Sequence, residues 1–169
     1  MSVPNSVSTA QPVRPHAVKP KRAVRPKREK LIVGWREWVA LPDLQVPRIL
    51  AKIDTGARSS ALHAPHVVVV EKDGEKWVNF DLALVEEAHD KELRHWARLV
   101  DVRDIKSSSG HVERRYIVKT TLIIGRRRWS IEVSLTDRSD MEIPMLIGRS
   151  AMKRRMLVDP SGSFRCDGL

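Results

Sequence analysis

The stretch Arg48-Ile49-Leu50-Ala51-Lys52-Ile53-Asp54-Thr55-Gly56-Ala57-Arg58-Ser59-Ser60-Ala61-Leu62 decides the reading of this chain. Arg48 to Ile53 has the apolar, β-branched character of a strand, and the run ends on a carboxylate, Asp54. Thr55 follows with a short hydroxyl. Gly56 has no Cβ, so the backbone can turn sharply and lie close to the carboxylate. A carboxylate presented on a tight turn at a strand end suits acid–base work. The Asp-Thr-Gly triplet occurs once in the chain. Chemistry that needs two such carboxylates would therefore need two copies of the chain.

Around this segment the chain reads as mostly β. Leu31–Trp35, Trp38–Leu41 and Val46–Ile53 are strands, with a turn at Pro42-Asp43. Val67–Val70 is a short β-branched run, and Asp73-Gly74 is a hairpin signal leading into Trp77–Leu82. Glu86–His95 is polar and reads as a helical turn or a loop. Arg98–Ile105 alternates, Ser107–Gly110 is a turn, and Val112–Ile117 follows. Thr120–Ile124 and Trp129–Leu135 form a further hairpin around Gly125, with Arg126-Arg127-Arg128 as a charged tip. Pro144–Ile147 is a short buried strand stopped by Gly148. Arg149–Met156 is the best helix candidate, and Leu157–Pro160 closes the domain. Short strands with frequent turns and one late helix predict an all-β, closed barrel.

The totals set limits. A chain of 169 residues with 41% hydrophobic content makes one domain plus tails. Its net charge of +10 is uneven. Residues 1–30 hold eight Lys and Arg against the single acid Glu29, together with five prolines. That composition predicts a disordered basic tail, able to touch nucleic acid without sequence preference. The remaining 139 residues are close to balance, with 23 basic and 20 acidic side chains. The boundaries are thus 1–30 for the tail, 31–160 for the folded domain and 161–169 for a C-terminal tail. The lone Cys166 gives no internal disulfide. With no secretory h-region and no long apolar run, the expectation is a cytoplasmic protein with no membrane contact.

Two motifs then act together: Ala51 to Ala57, and Pro144-Met145-Leu146-Ile147-Gly148-Arg149. The pair resembles the retropepsin-like (acid protease) fold. In that fold an Asp-Thr-Gly-Ala loop and an apolar-apolar-Gly-Arg helix start interlock behind the active site. More narrowly, residues 32–160 resemble a prokaryotic family labelled "ATP-dependent zinc protease" and associated with RimK-type glutamate ligases. Gly34 to Pro42, Asp54 to His63, Ser108-Ser109-Gly110, Trp129 to Leu135 and Met145 to Arg149 carry that likeness. The resemblance implies a closed retropepsin-like β-barrel with one short C-terminal helix. It also implies an aspartic-type endopeptidase whose dyad forms across a homodimer. Asp54, Thr55 and Gly56 would be catalytic, and Ala57, Arg58, Ser59, Gly148 and Arg149 would bind substrate.

The sequence departs from viral retropepsins at Arg58, where those enzymes place an acid that pairs with the late arginine, here Arg149. A cation at that position points to acidic, glutamate-rich peptides. The lid over the cleft would be one of two hairpins, at Asp73-Gly74 or at Ser107–Gly110. Two other functions fit the same residues. One is a non-catalytic regulatory module that binds a glutamate ligase or a ribosomal protein. The other is a zinc-dependent peptidase, whose metal candidates are His63 and His66; the chain has no His-Glu-x-x-His. No phosphate-binding Gly-x-x-x-x-Gly-Lys loop is present, so no ATP site is expected, and no cofactor is assigned.

Overall fold

In a computed structural model of the chain, residues 29–82, 94–106, 110 and 112–166 are described. The decisive stretch forms β3 (Val46–Ile53) and β4 (Ser60–His63) with the Asp54 loop between them. In β3 the residues Ile49, Ala51 and Ile53 are buried while Lys52 faces water, so the period-2 pattern fixes which side of the strand meets the core.

The other elements are β1 (Leu31–Val33), β2 (Arg36–Leu41), a 3₁₀ turn at Pro42–Leu44, β5 (Val68–Lys72), β6 (Glu75–Asp81), β7 (Arg94–Lys106), β8 (Val112–Ile124), β9 (Arg127–Thr136), β10 (Met145–Ile147), α1 (Arg149–Met152) and β11 (Met156–Val158). The protein is thus all-β with one short helix. β1 and β11 form a separate parallel pair. The main sheet runs β2-β3-β10-β4-β9-β8-β7-β6-β5, and Ala40 of β2 also pairs with Ile123 of β8. The strands β2, β3, β10, β4, β9 and β8 are therefore hydrogen-bonded in a ring. Its interior is filled by Leu41, Leu62, Leu122, Leu135, Met145 and Ile147, each 2% exposed or less. Burial of each is worth about 1.5–3 kcal/mol.

The crossing of β10 between β3 and β4 positions the site. β10 runs parallel to β3, with Ile147 beside Ile53, and antiparallel to β4, with Leu146 beside Ala61. Residues far apart in sequence are thereby packed at the end of β3.

Some elements differ from the sequence expectation. Val112–Ile117 and Thr120–Ile124 are one continuous strand, because nothing in Val118-Lys119 interrupts pairing with either neighbour. The helix stops at Met152. Arg154 turns the chain at φ 64°, and Met156 returns to pair with Leu31. Asp73 and Gly74, at φ 54° and 75°, make the β5–β6 hairpin turn that their sequence predicts. Most of the polar 86–95 segment and the Ser107–Ser109 turn lie outside the described residues.

Residues 161–166 lie against β1 and β2. The buried carboxylate of Glu37 accepts the N–H groups of Gly34 (2.6 Å), Arg165 (2.8 Å) and Cys166 (3.3 Å). A Cβ on Gly34 would stand 2.4 Å from Gly162 O, so only glycine lets these segments meet. No helix among the described residues is long and apolar enough to cross a membrane.

Candidate active site

Asp54 leaves the sheet with its N–H still bonded to Ile147 O at 2.9 Å. Its side chain then folds over the turn that follows. Oδ1 accepts the N–H groups of Gly56 (2.9 Å) and Ala57 (3.1 Å), and Lys52 Nζ lies 3.5 Å from Oδ2. The carboxylate is 24% exposed. Burial pushes its pKa up. The Ala57 and Gly56 N–H groups and the Lys52 ammonium outweigh that effect and hold the carboxyl below the usual carboxylate range. One oxygen is thus fixed by the backbone, and the other faces the Lys52 ammonium, with the side chain still 24% exposed.

The downstream motif holds the loop from behind. Gly148 N–H donates to Ser60 Oγ at 3.2 Å, and a Cβ on Gly148 would stand 2.4 Å from Ser59 O. The N–H groups of Arg149 and Ser150 donate to the carbonyls of Ala57 (2.9 Å) and Arg58 (3.0 Å). Arg149 Nη1 donates to Thr55 O (2.8 Å) and Gly56 O (2.6 Å). The arginine that lacks an acid at position 58 therefore clamps the loop through carbonyl oxygens. Thr55 and the Arg58 side chain are exposed beside it. Asp54, Thr55, Gly56, Ala57, Arg58, Ser59, Gly148 and Arg149 thus form one contiguous unit.

His63 and His66 each have a partner of their own. His63 Nδ1 accepts the Arg138 N–H at 2.8 Å, which uses that lone pair, and Asp137 lies 3.6 Å away. His66 is exposed and sits 3.2 Å from Asp81. No cluster of three or more His, Cys, Asp or Glu suited to a metal occurs among the described residues. Among the described residues, His63 and His66 therefore gain no third ligand of the kind a zinc site needs.

Two further residues bear on Asp54. Lys52 was legible, since alternation along β3 puts i and i+2 on one side. Arg138 was not, because it follows β9 in an irregular segment. Its Nε is buried without a hydrogen-bond partner among the described residues. Burial and the nearby Arg115 lower its pKa, while Asp54 and Asp140 act in the opposite sense. It remains a cation, within electrostatic reach of the Asp54 carboxylate.

An Asp-Thr-Gly loop braced by a Gly-Arg helix start is the arrangement of the retropepsin-like class. A family model described as RimB-like, "Retropepsin-like aspartic endopeptidase RimB", matches residues 32–167, and the chain belongs to this family. Two curated relatives, each named "Probable alpha-L-glutamate ligase", come from Shewanella halifaxensis and Shewanella pealeana. They are 42% and 43% identical over 135 residues, which cover 80% of this chain and 30% of each relative. A third of the same name, from Parasynechococcus marenigrum, is 38% identical over 140 residues, or 83% of this chain and 30% of the relative. The chain thus corresponds to under a third of the length of these relatives. Among solved structures, Lpg0085 from Legionella pneumophila, described as of unknown function, superposes with a TM-score of 0.68 at 28% identity. The match covers 81% of this chain and 98% of that one.

Proposed function

We propose that this chain is an aspartic endopeptidase that hydrolyses peptide bonds through a dyad of Asp54 carboxylates, one from each copy of a homodimer, in a closed retropepsin-like barrel. The observation that carries the reading is the Asp54 carboxylate itself, held at Oδ1 by two backbone N–H groups, with Oδ2 facing the Lys52 ammonium and the side chain 24% exposed. Two carboxylates about 3 Å apart cannot both ionise, so the pair shares one proton. The ionised member takes a proton from water as the water attacks the scissile carbonyl. The protonated member hydrogen-bonds the carbonyl oxygen, and the amine leaves protonated. Arg149 and Gly148 act as positioning residues.

A second copy is required because the chain supplies one such loop. The surface beside the loop suits one. A groove of about 810 Å³ runs from Thr55 along Met152, Met156, Leu157 and Val158. Ile32 and Leu157 on the paired β1 and β11 are 58% and 51% exposed. Contact between two copies there would cover apolar surface and bring the two Thr55 hydroxyls together.

We assign acidic, glutamate-rich peptides as the substrate. Lys52, Arg58, Arg138 and Arg149 surround the site, and arginine forks match carboxylates. The relatives named as glutamate ligases support the same assignment and a working partnership with such a ligase. The test is cleavage of an oligoglutamate peptide by the wild type and by Asp54→Asn, with mass measured by sedimentation. Expected are a dimer and loss of cleavage in the variant. Full activity of Asp54→Asn, or an active monomer, overturns the reading.

A further inference from the structure

A second basic feature lies beyond the loop. A cleft of about 540 Å³ is lined by Arg126, Arg127 and Arg128 from the β8–β9 hairpin and by Arg154 and Arg155 from the turn before β11. Glu29 is the only acid among the described lining residues. Arg127 spends a donor on the Glu29 backbone carbonyl rather than on a carboxylate. None of the five arginines makes an ion pair among the described residues. Five guanidinium groups around one cleft repel each other, and an anion relieves that repulsion.

The cleft adjoins the groove beside the Asp54 loop. Arg154 lines both, and the groove on its far side carries Thr55, Arg58, Arg149 and Lys153. Arg154 is held at φ 64°, a conformation that glycine adopts without strain and arginine does not. The chain also enters the cleft at Glu29, directly after 28 residues that hold seven Lys and Arg and no acid.

We propose that this cleft is an exosite for carboxylate-rich peptide, holding glutamate side chains of the substrate whose scissile bond lies at Asp54. The proposal rests on the acidic-substrate reading above. Peptide rather than nucleic acid is favoured by Trp129, the one aromatic lining residue. Its Nε1–H donates to Ala151 O at 3.1 Å, and Arg155 lies 5.4 Å from its ring centre, so its face is not free to stack a base. An extended peptide advances about 3.3 Å per residue, so an oligomer of about a dozen residues spans roughly 40 Å.

The test uses the full chain, an Arg126→Gln/Arg128→Gln/Arg154→Gln variant and a fluorescent glutamate oligomer of about twelve residues, roughly 40 Å extended. Arg126→Gln/Arg128→Gln alone serves as the second variant, should the triple one melt early. Expected is binding weakened about tenfold in the triple variant, with a shallower salt dependence. In cleavage by the Arg126→Gln/Arg128→Gln variant, whose positions lie outside the groove beside the loop, KM for the long oligomer should rise while kcat and the rate on a short acidic peptide hold. Unchanged oligoglutamate binding overturns the exosite, whether or not the chain cleaves peptides. Preferential binding of an oligouridine at the same arginines also overturns it, in favour of a nucleic-acid site. Loss of binding in the variant from a chain that cleaves nothing supports the exosite and removes the peptidase reading.

Discussion

Arg149 Nη1 reaches both Thr55 O (2.8 Å) and Gly56 O (2.6 Å), so one guanidinium bridges the two carbonyls that follow Asp54. It holds the loop without touching the carboxylate. Arg149→Ala removes both bonds at an exposed position and should cost about 1 kcal/mol of stability. Its larger effect should be on kcat, because misplacement of reacting groups by about 1 Å costs up to ~10²-fold. Thermal melting and kinetics on one preparation separate the two effects. Equal fractional losses in stability and rate would argue against a positioning role.

Gly148 and Gly74 make a matched pair for substitution. A Cβ on Gly148 meets Ser59 backbone atoms at 2.4–2.9 Å, whereas a Cβ on Gly74 meets nothing within 4 Å but sits at φ 75°. Gly148→Ala must push strand and loop apart and should cost about 3 kcal/mol or more. Gly74→Ala carries only backbone strain, about 1 kcal/mol. Urea denaturation of both variants gives the ordering, and the reverse order would refute it.

The pH dependence follows from the groups around Asp54. The Ala57 and Gly56 N–H groups and Lys52 hold its carboxyl below the usual range against the opposing effect of burial. A depressed carboxylate stabilises the fold above its unfolded pKa and loses that contribution as pH falls through the folded value. Lys52→Ala should therefore raise the Asp54 pKa and move the acid limb of the activity profile upward. In a dimer the second carboxylate should raise one of the two apparent values further, and activity should fall on the alkaline side as the shared proton is lost. Carboxyl chemical shifts against pH, with a pH–rate profile, check both directions.

Glu37 is 1% exposed and its carboxylate receives three backbone N–H groups, two of them from residues 165 and 166. Glu37→Ala leaves the buried Gly34 N–H and the part-buried Arg165 and Cys166 N–H groups unmatched and should cost about 3–5 kcal/mol. Truncation after residue 160 should destabilise in the same direction. Calorimetry of the two variants tests this, and a melt matching the wild type in both would show that the segment is dispensable.

Arg58 and Arg138 should set selectivity. Replacing either with alanine should lower kcat/KM for acidic peptides more than for neutral ones, by about tenfold where the contact is a charge-assisted bond. Unchanged relative rates would remove that residue from the substrate contact.

The decisive loop and most strands were legible because their signals are local. Alternation in β3, the Asp73-Gly74 turn and the stop at Gly148 each act over a few residues. What sequence could not supply was long-range. Nothing in Glu37 or Arg165 alone announces that they meet, so 161–166 reads as a tail although it is bound to the sheet. Arg138 is hidden for the same reason: only the pairing of His63 with Thr136 brings the segment after β9 to the site. The helix reads too long because Arg154-Arg155 favour helix locally, while pairing of Met156 with Leu31 overrides that preference.

The placement of β10 between β3 and β4 also sets an order of events during synthesis. Asp54 leaves the ribosome before the strand that spaces its loop and the guanidinium that holds it, which come from residues 145–149. Until those residues emerge, Ile53 and Ala61 have no neighbour between them and the Asp54 turn has nothing behind it. The Asp54 carboxylate is therefore fixed in place only once residues 145–149 have been made. A nascent chain stopped before Arg149 carries the Asp-Thr-Gly triplet without the geometry that gives it a use.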